Sequence, residues 1–119
     1  MILVDTSVWI DHLRQGDQQL VALLEDEHVC CHPFVIGELA CGNLRNRDEI
    51  LGLLRELPQV EPADDGDVHH LVDARSLWAR GLGWVDMHLL TATLLAGCTL
   101  WTRDKALATA ANDLAIAAF

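Results

Sequence analysis

The chain opens on three apolar residues, Ile2-Leu3-Val4, that stop at an acid, Asp5. A short apolar run ending on a charge reads as a buried parallel strand. From Val8 to Leu13 apolar positions recur at helical spacing, which predicts a helix capped by Thr6 or Ser7. A second helix is expected over Gln18–Asp26 and a strand over His28–Cys31. Pro33 marks the next helix start, Val35–Cys41 continue it, and Gly42 and Asn43 break it. Arg47–Glu56 carries a broad apolar face of Ile50, Leu51, Leu53 and Leu54, continued by Leu57. Val60 is a short strand candidate, Asp67–Arg80 a helix and Gly81–Gly83 a turn. Asp86–Ala96 is the strongest helical pattern, with Leu89, Leu90, Thr93 and Leu94 on one side and Gly97 as its stop. Thr99–Thr102 reads as a strand, Asp104–Asn112 as a helix and Ala115–Phe119 as a last strand.

Strand and helix alternate without hairpin signals. The pattern predicts an α/β fold, a parallel sheet covered by helices on both faces. Ligands in such sheets bind beyond the carboxyl ends of the strands. Asp5 falls at that place after the first strand, and Asp104, in "TLWTRDKAL", repeats the pattern after a late one. Glu38 is the third notable acid, set in the apolar helical turn "VIGELACG", where an unpaired Glu is rarely buried. Asp86 is the fourth, at the start of "VDMHLLTATLLAG", where an acid also favours the helix dipole. Each acid alone has a structural reading as a cap or a dipole partner. Together, facing one crevice, they would repel by about 3 kcal/mol per pair at ~5 Å and an effective dielectric near 20. No Arg or Lys cluster adjoins all four, so a divalent cation is the natural counter-charge. Oxygen-only ligands suit Mg²⁺ or Mn²⁺.

Length and composition narrow the setting. The 119 residues suit one domain, and 51% hydrophobic content excludes a disordered segment. No apolar run approaches a bilayer span, and Met1 leads into the first strand without a basic leader, so a cytoplasmic protein with no membrane role is expected. The net charge of −10 argues against a nonspecific nucleic-acid coat but not against an enzyme that touches a few phosphates. Cys30, Cys31, Cys41 and Cys98 form no C-x-x-C pair and read as reduced. Cys30-Cys31-His32 invites a zinc reading. However, neighbours on a strand point to opposite faces, which disfavours a shared ion.

The ordered set Asp5-Thr6-Ser7, Glu38, Asp86 and Thr102-Arg103-Asp104 resembles the PIN-domain family, and within it the ribonuclease toxins of VapBC-type toxin–antitoxin modules. "LVDTSVWID" and "LWTRDKAL" are the most specific pieces, and the resemblance covers nearly the whole chain. It implies one domain over residues 1–119, a three-layer α/β/α sandwich with a mainly parallel central sheet. It also implies a Mg²⁺- or Mn²⁺-dependent endoribonuclease with Asp5, Glu38, Asp86 and Asp104 as its acidic quartet. Asp5 and Asp86 would ligate metal directly. Glu38 would ligate or act as general base, and Asp104 would ligate directly or through water. Thr6, Ser7 and Thr102 would be helper hydroxyls. RNA cut to leave a 5′-phosphate, a homodimer and a cognate antitoxin protein follow from the same resemblance.

Substrate grip must come from few cations. Among Arg45, Arg47, Arg75, Arg80, Arg103 and Lys105, Arg80, six residues before Asp86, and Arg103, beside Asp104, are the better candidates for RNA contacts. Trp78 and Trp84 could stack bases, although core or interface packing is the readier expectation. His88, about 200° around the helix from Asp86, should face away from the acids. Other readings remain. A non-catalytic RNA- or protein-binding module could use the same fold. A receiver-like phospho-acceptor domain would need a second acid beside Asp5 and a late Lys ending a strand. A haloacid-dehalogenase-type phosphatase would need Asp-x-Asp where this chain has Asp5-Thr6-Ser7.

Overall fold

In a computed structural model describing residues 1–119, β1 (Ile2–Val4), β2 (Val29–Cys30) and β3 (Thr99–Trp101) pair in parallel in the order β2-β1-β3. Leu3 stands between Cys30 on one side and Leu100 on the other, so β1 is central. Both Leu3 and Val4 are fully buried, as an uninterrupted apolar strand covered on both faces requires. Single parallel bridges, Cys31 with Gln59 and Leu100 with Ala117, extend the sheet by one residue pair at each edge. The strands expected at Val60 and Ala115–Phe119 therefore shrink to one bridge each. Pro58 and Pro62 bracket the first and offer no N–H for a longer ladder.

Seven helices connect and cover these strands: α1 (Thr6–Gln15), α2 (Gln18–Glu25), α3 (Pro33–Ala40), α4 (Arg47–Glu56), α5 (Asp65–Ala74), α6 (Trp84–Ala96) and α7 (Lys105–Asp113). α1 packs on α3 and α3 on α4, while α5 packs on α6 and α6 on β3. α1 and α2 connect β1 to β2, and α3–α6 carry the chain back from β2 to β3; right-handed crossovers are the rule for such connections between parallel strands. The result is the expected α/β/α arrangement.

Several boundaries differ from expectation for local reasons. Asp5, not Thr6 or Ser7, caps α1. α5 ends at Ala74 rather than Arg80. Ser76 adopts φ 53°, and the Leu77 N–H closes back on the Val72 carbonyl at 3.0 Å, a Schellman-type stop that delivers Leu77 to the core. α6 starts at Trp84, two residues before Asp86, and ends at Gly97 in the left-handed conformation that glycine adopts without strain. Every residue from Met87 to Thr93 is buried, so α6 is enclosed on all sides rather than on one face, and Leu94 is exposed. Its buried hydroxyls are satisfied, Thr91 donating to the Met87 carbonyl at 2.8 Å and Thr93 to that of Leu89 at 2.6 Å. No helix is long and apolar enough to cross a membrane.

Connections leave β1 and β3 in opposite directions. Their carboxyl ends form the topological switch point at which open parallel sheets bind ligands.

Candidate active site

Asp5 is the first residue past β1, and its N–H still donates to the Trp101 carbonyl at 2.9 Å, extending the ladder into the turn. Its carboxylate is then held from both sides of the switch point. The Ser7 hydroxyl from α1 and the Thr102 hydroxyl from the end of β3 each donate to Oδ2 at 2.7 Å. The Ser7 N–H adds a longer contact at 3.4 Å to the same oxygen. A hydroxyl has one proton, so the 3.3 Å approach between Ser7 Oγ and Thr102 Oγ1 is the spacing of two donors on one acceptor. Both oxygens also accept: Ser7 Oγ from the Arg103 N–H at 2.9 Å and Thr102 Oγ1 from the Asp104 N–H at 3.0 Å. One polar network thus ties the β1–α1 turn to the β3–α7 turn. All of its bonds to Asp5 fall on Oδ2, leaving Oδ1 for a ligand.

The other three acids are set by their helix positions. Asp104 caps α7, accepting the Leu107 N–H on Oδ1 at 2.9 Å. Asp86 stands in the first turn of α6 and reaches back to the Gly83 N–H at 2.9 Å. Glu38 projects from α3, where the Thr6 hydroxyl donates to Oε1 at 2.7 Å. Thr6 and Ser7 therefore serve different acids, Glu38 and Asp5. The Gly83 amide was not foreseen. Its signal is an acid three residues after a non-helical glycine, the reach-back half of a capping box.

The charges of these acids act on one another, Glu38 with Asp5 and Asp86, and Asp86 with Asp5 and Asp104. Burial pushes the Glu38 carboxyl above its ordinary range. The negative charges of Asp5 and Asp86 push it further, against the Thr6 hydrogen bond. Asp86 is raised in the same way, by burial and then by Asp5 and Asp104, against the Gly83 hydrogen bond. None of the five ion pairs in the protein involves any of the four acids. No three His, Cys, Asp or Glu side chains stand in closed ligating geometry; Asp5, Asp86 and Asp104 each accept hydrogen bonds at a helix start, and Glu38 accepts from Thr6. The donor set still fits a hard divalent cation: the candidate ligands are all carboxylates, one oxygen of each of Asp5, Asp86 and Asp104 is uncommitted, and none of the four acids is in an ion pair.

The expected RNA contacts are differently engaged. Arg80 pairs with Asp113 at 2.7 Å. Arg103 pairs with Asp11 at 2.9 Å and with Asp17, and its guanidinium lies 5.4 Å from the Trp101 ring centroid. Sequence proximity to Asp86 and Asp104 did not reveal these distant partners. His88 is buried away from the acids, as expected, with Nε2 3.1 Å from Asp65 Oδ1. Trp78 and Trp84 are exposed rather than core residues, and the Trp84 ring meets His69 at a tilt and His88 edge-on. His32 is not poised for zinc. Its Nδ1 accepts the Phe34 N–H at 2.9 Å and caps α3. Lys105 opens α7 instead of ending a strand, which does not suit the receiver alternative.

Residues 2–113 match the PIN domain family. The chain belongs to the PIN-domain family. It is also 51% identical to the curated Ribonuclease VapC32 of Mycobacterium tuberculosis, over 118 residues that make up 98% of this chain and 95% of the relative. The match is the same for the proteins of strains CDC 1551 / Oshkosh and ATCC 25618 / H37Rv. Membership in the PIN family accords with the parallel sheet, the helical layers and the acids at the switch point.

Proposed function

We propose that this chain is a Mg²⁺- or Mn²⁺-dependent endoribonuclease, the toxin component of a type II toxin–antitoxin pair, formed by one PIN domain over residues 1–119. The observation that carries the reading is the convergence of Asp5, Glu38, Asp86 and Asp104 at the switch point with no cationic side chain to offset them. Close similarity to a protein named as a VapC ribonuclease supports the substrate class.

Asp5 and Asp86 are the direct metal ligands in this account, and Asp104 contributes directly or through water. When bound, the divalent ion supplies a water acidic enough to ionise near neutral pH and neutralises phosphodiester charge. Glu38 ligates or receives the proton of the attacking water, and its raised pKa brings it closer to the range of an effective general base. Attack at phosphorus breaks the bond to the 3′ oxygen and leaves a 5′-phosphate. Ser7 and Thr102 fix the Asp5 carboxylate, and Thr6 fixes Glu38, so the acids are oriented before substrate arrives. The acidic site and the net charge of −10 favour a basic segment of a cognate antitoxin as inhibitor. The active unit is a homodimer acting in the cytoplasm.

The purified chain, free of partners, is incubated with total bacterial RNA under Mg²⁺, Mn²⁺ or EDTA. Discrete cuts bearing 5′-phosphates that vanish in EDTA and in Asp5→Asn are expected. A folded protein that cuts nothing and binds neither ion would leave a non-catalytic binding module in its place.

A further inference from the structure

A groove of about 690 Å³ runs between α1 and the loop joining α3 to α4, and Glu38 lines one part of it. Its floor is apolar, from Ile10, Leu13 and Ile50, while Arg14 and Arg45 line it beside them. The chain has eight Lys and Arg residues. Arg47, Arg80 and Arg103 are in ion pairs, whereas Arg14 and Arg45 are exposed and form none. In a chain of net charge −10, two unpaired guanidiniums share a groove with a carboxylate of the acidic site. Thr6, Ile10 and Arg14 are spaced four apart and lie along one face of α1. Thr6 holds Glu38 at one end of that stripe, and Arg14 stands eight residues on, about 12 Å along the helix axis. That distance spans about three nucleotide steps of a stacked strand.

We propose that this groove is the track for the RNA strand flanking the cut, with Arg14 and Arg45 as its phosphate contacts. The proposal rests on the ribonuclease reading and replaces Arg80 and Arg103 as the gripping pair. Guanidinium forks suit phosphate oxygens, and the apolar floor suits base or ribose faces. Arg45 was within reach of sequence reasoning, being one of few cations. Arg14 lies at helical spacing from Thr6, but the link of Thr6 to Glu38, 32 residues away, is seen only in the structure.

The test measures binding of a labelled single-stranded RNA in EDTA across a salt series, beside metal-dependent cleavage. Each single-strand phosphate contact contributes a slope of about −0.7 in log affinity against log salt. Arg14→Gln/Arg45→Gln should therefore flatten the slope by about 1.4. Counterion release alone makes binding about 25-fold weaker at 0.1 M salt. KM should rise similarly while kcat at saturating RNA is kept. Arg55→Gln/Arg75→Gln removes the same charge from two other unpaired positions and should change the slope much less. An unchanged slope in the first variant, or an equal loss in the second, overturns the proposal while wild-type cleavage leaves the ribonuclease reading intact. A wild-type protein that neither binds nor cuts RNA overturns both.

Discussion

Asp86→Asn should make the metal-free protein more stable. The ionised Asp86 carboxylate is disfavoured in the folded state by burial and by the charges of Asp5 and Asp104. Taking separations on the order of 6 Å, each repulsion is ~0.7 kcal/mol at the dielectric of water and ~2.8 kcal/mol at an effective value of 20. Asp86 is only partly buried, so screening brings the combined relief to about 1–3 kcal/mol. The carboxamide oxygen of Asn can still accept the Gly83 N–H, so the capping contact survives. For a chain of this size each kcal/mol moves Tm by about 3–6 °C. Thermal unfolding in EDTA should therefore place Asp86→Asn several degrees above wild type. Mn²⁺ at a hundredfold excess over its Kd should add about 2.7 kcal/mol to wild type and little to the variant, closing or reversing the gap. The expectation runs against the usual loss on mutating a partly buried, hydrogen-bonded residue. A folded variant that is less stable than wild type in EDTA would refute the claim that these acids repel one another.

Thr102→Val removes a donor to Asp5 and the acceptor for the Asp104 N–H, so kcat should fall about 10–100-fold, the worth of one charge-assisted hydrogen bond. Thr102→Ser should recover most of it, and single-turnover cleavage reads both. Burial, and then the neighbouring His88, pushes His32 down to about 4. Its Nδ1 also cannot take a proton while accepting from the Phe34 N–H. The unfolded chain binds a proton first, so stability is full above pH 6.5 and falls by about 3 kcal/mol as pH drops towards 4. Urea denaturation at several pH values, compared with His32→Asn, which keeps a capping oxygen, should show this dependence in wild type alone. Glu38 and Asp86 carry the opposite sign. Their folded-state pKa values are raised, so in EDTA their cost eases as pH falls through those values. For the same reason Mn²⁺ affinity should weaken on acidification before the ordinary carboxylate range is reached, which metal titration across pH measures.

The parts of the site set by local rules were legible in the sequence. Asp5 and Asp104 each end a short apolar run and open a helix, and that pattern alone placed them at the carboxyl edge of the sheet. Glu38 was visible as a charge among residues that are buried, Val35, Ile36 and Leu39. What depended on distant partners was not legible. Arg103 adjoins Asp104 in sequence, yet its guanidinium goes to Asp11 and Asp17, more than eighty residues earlier. The enclosure of α6 is a property of the layers around it, and its continuous burial from Met87 to Thr93 hides the single apolar stripe that helical periodicity suggests. The edge pairings at Gln59 and Ala117 are one residue long, too short to leave an alternating pattern.

In the proposed mechanism Asp5, Glu38, Asp86 and Asp104 surround one divalent-ion site at the switch point. The most direct measurement is an anomalous difference map from crystals of the protein grown with Mn²⁺. A peak bounded by Asp5 Oδ1 and an Asp86 oxygen is expected, with Glu38 and Asp104 in contact directly or through water. Mn²⁺ seated elsewhere, or crystals equilibrated with it that show no peak among these four acids, would contradict it.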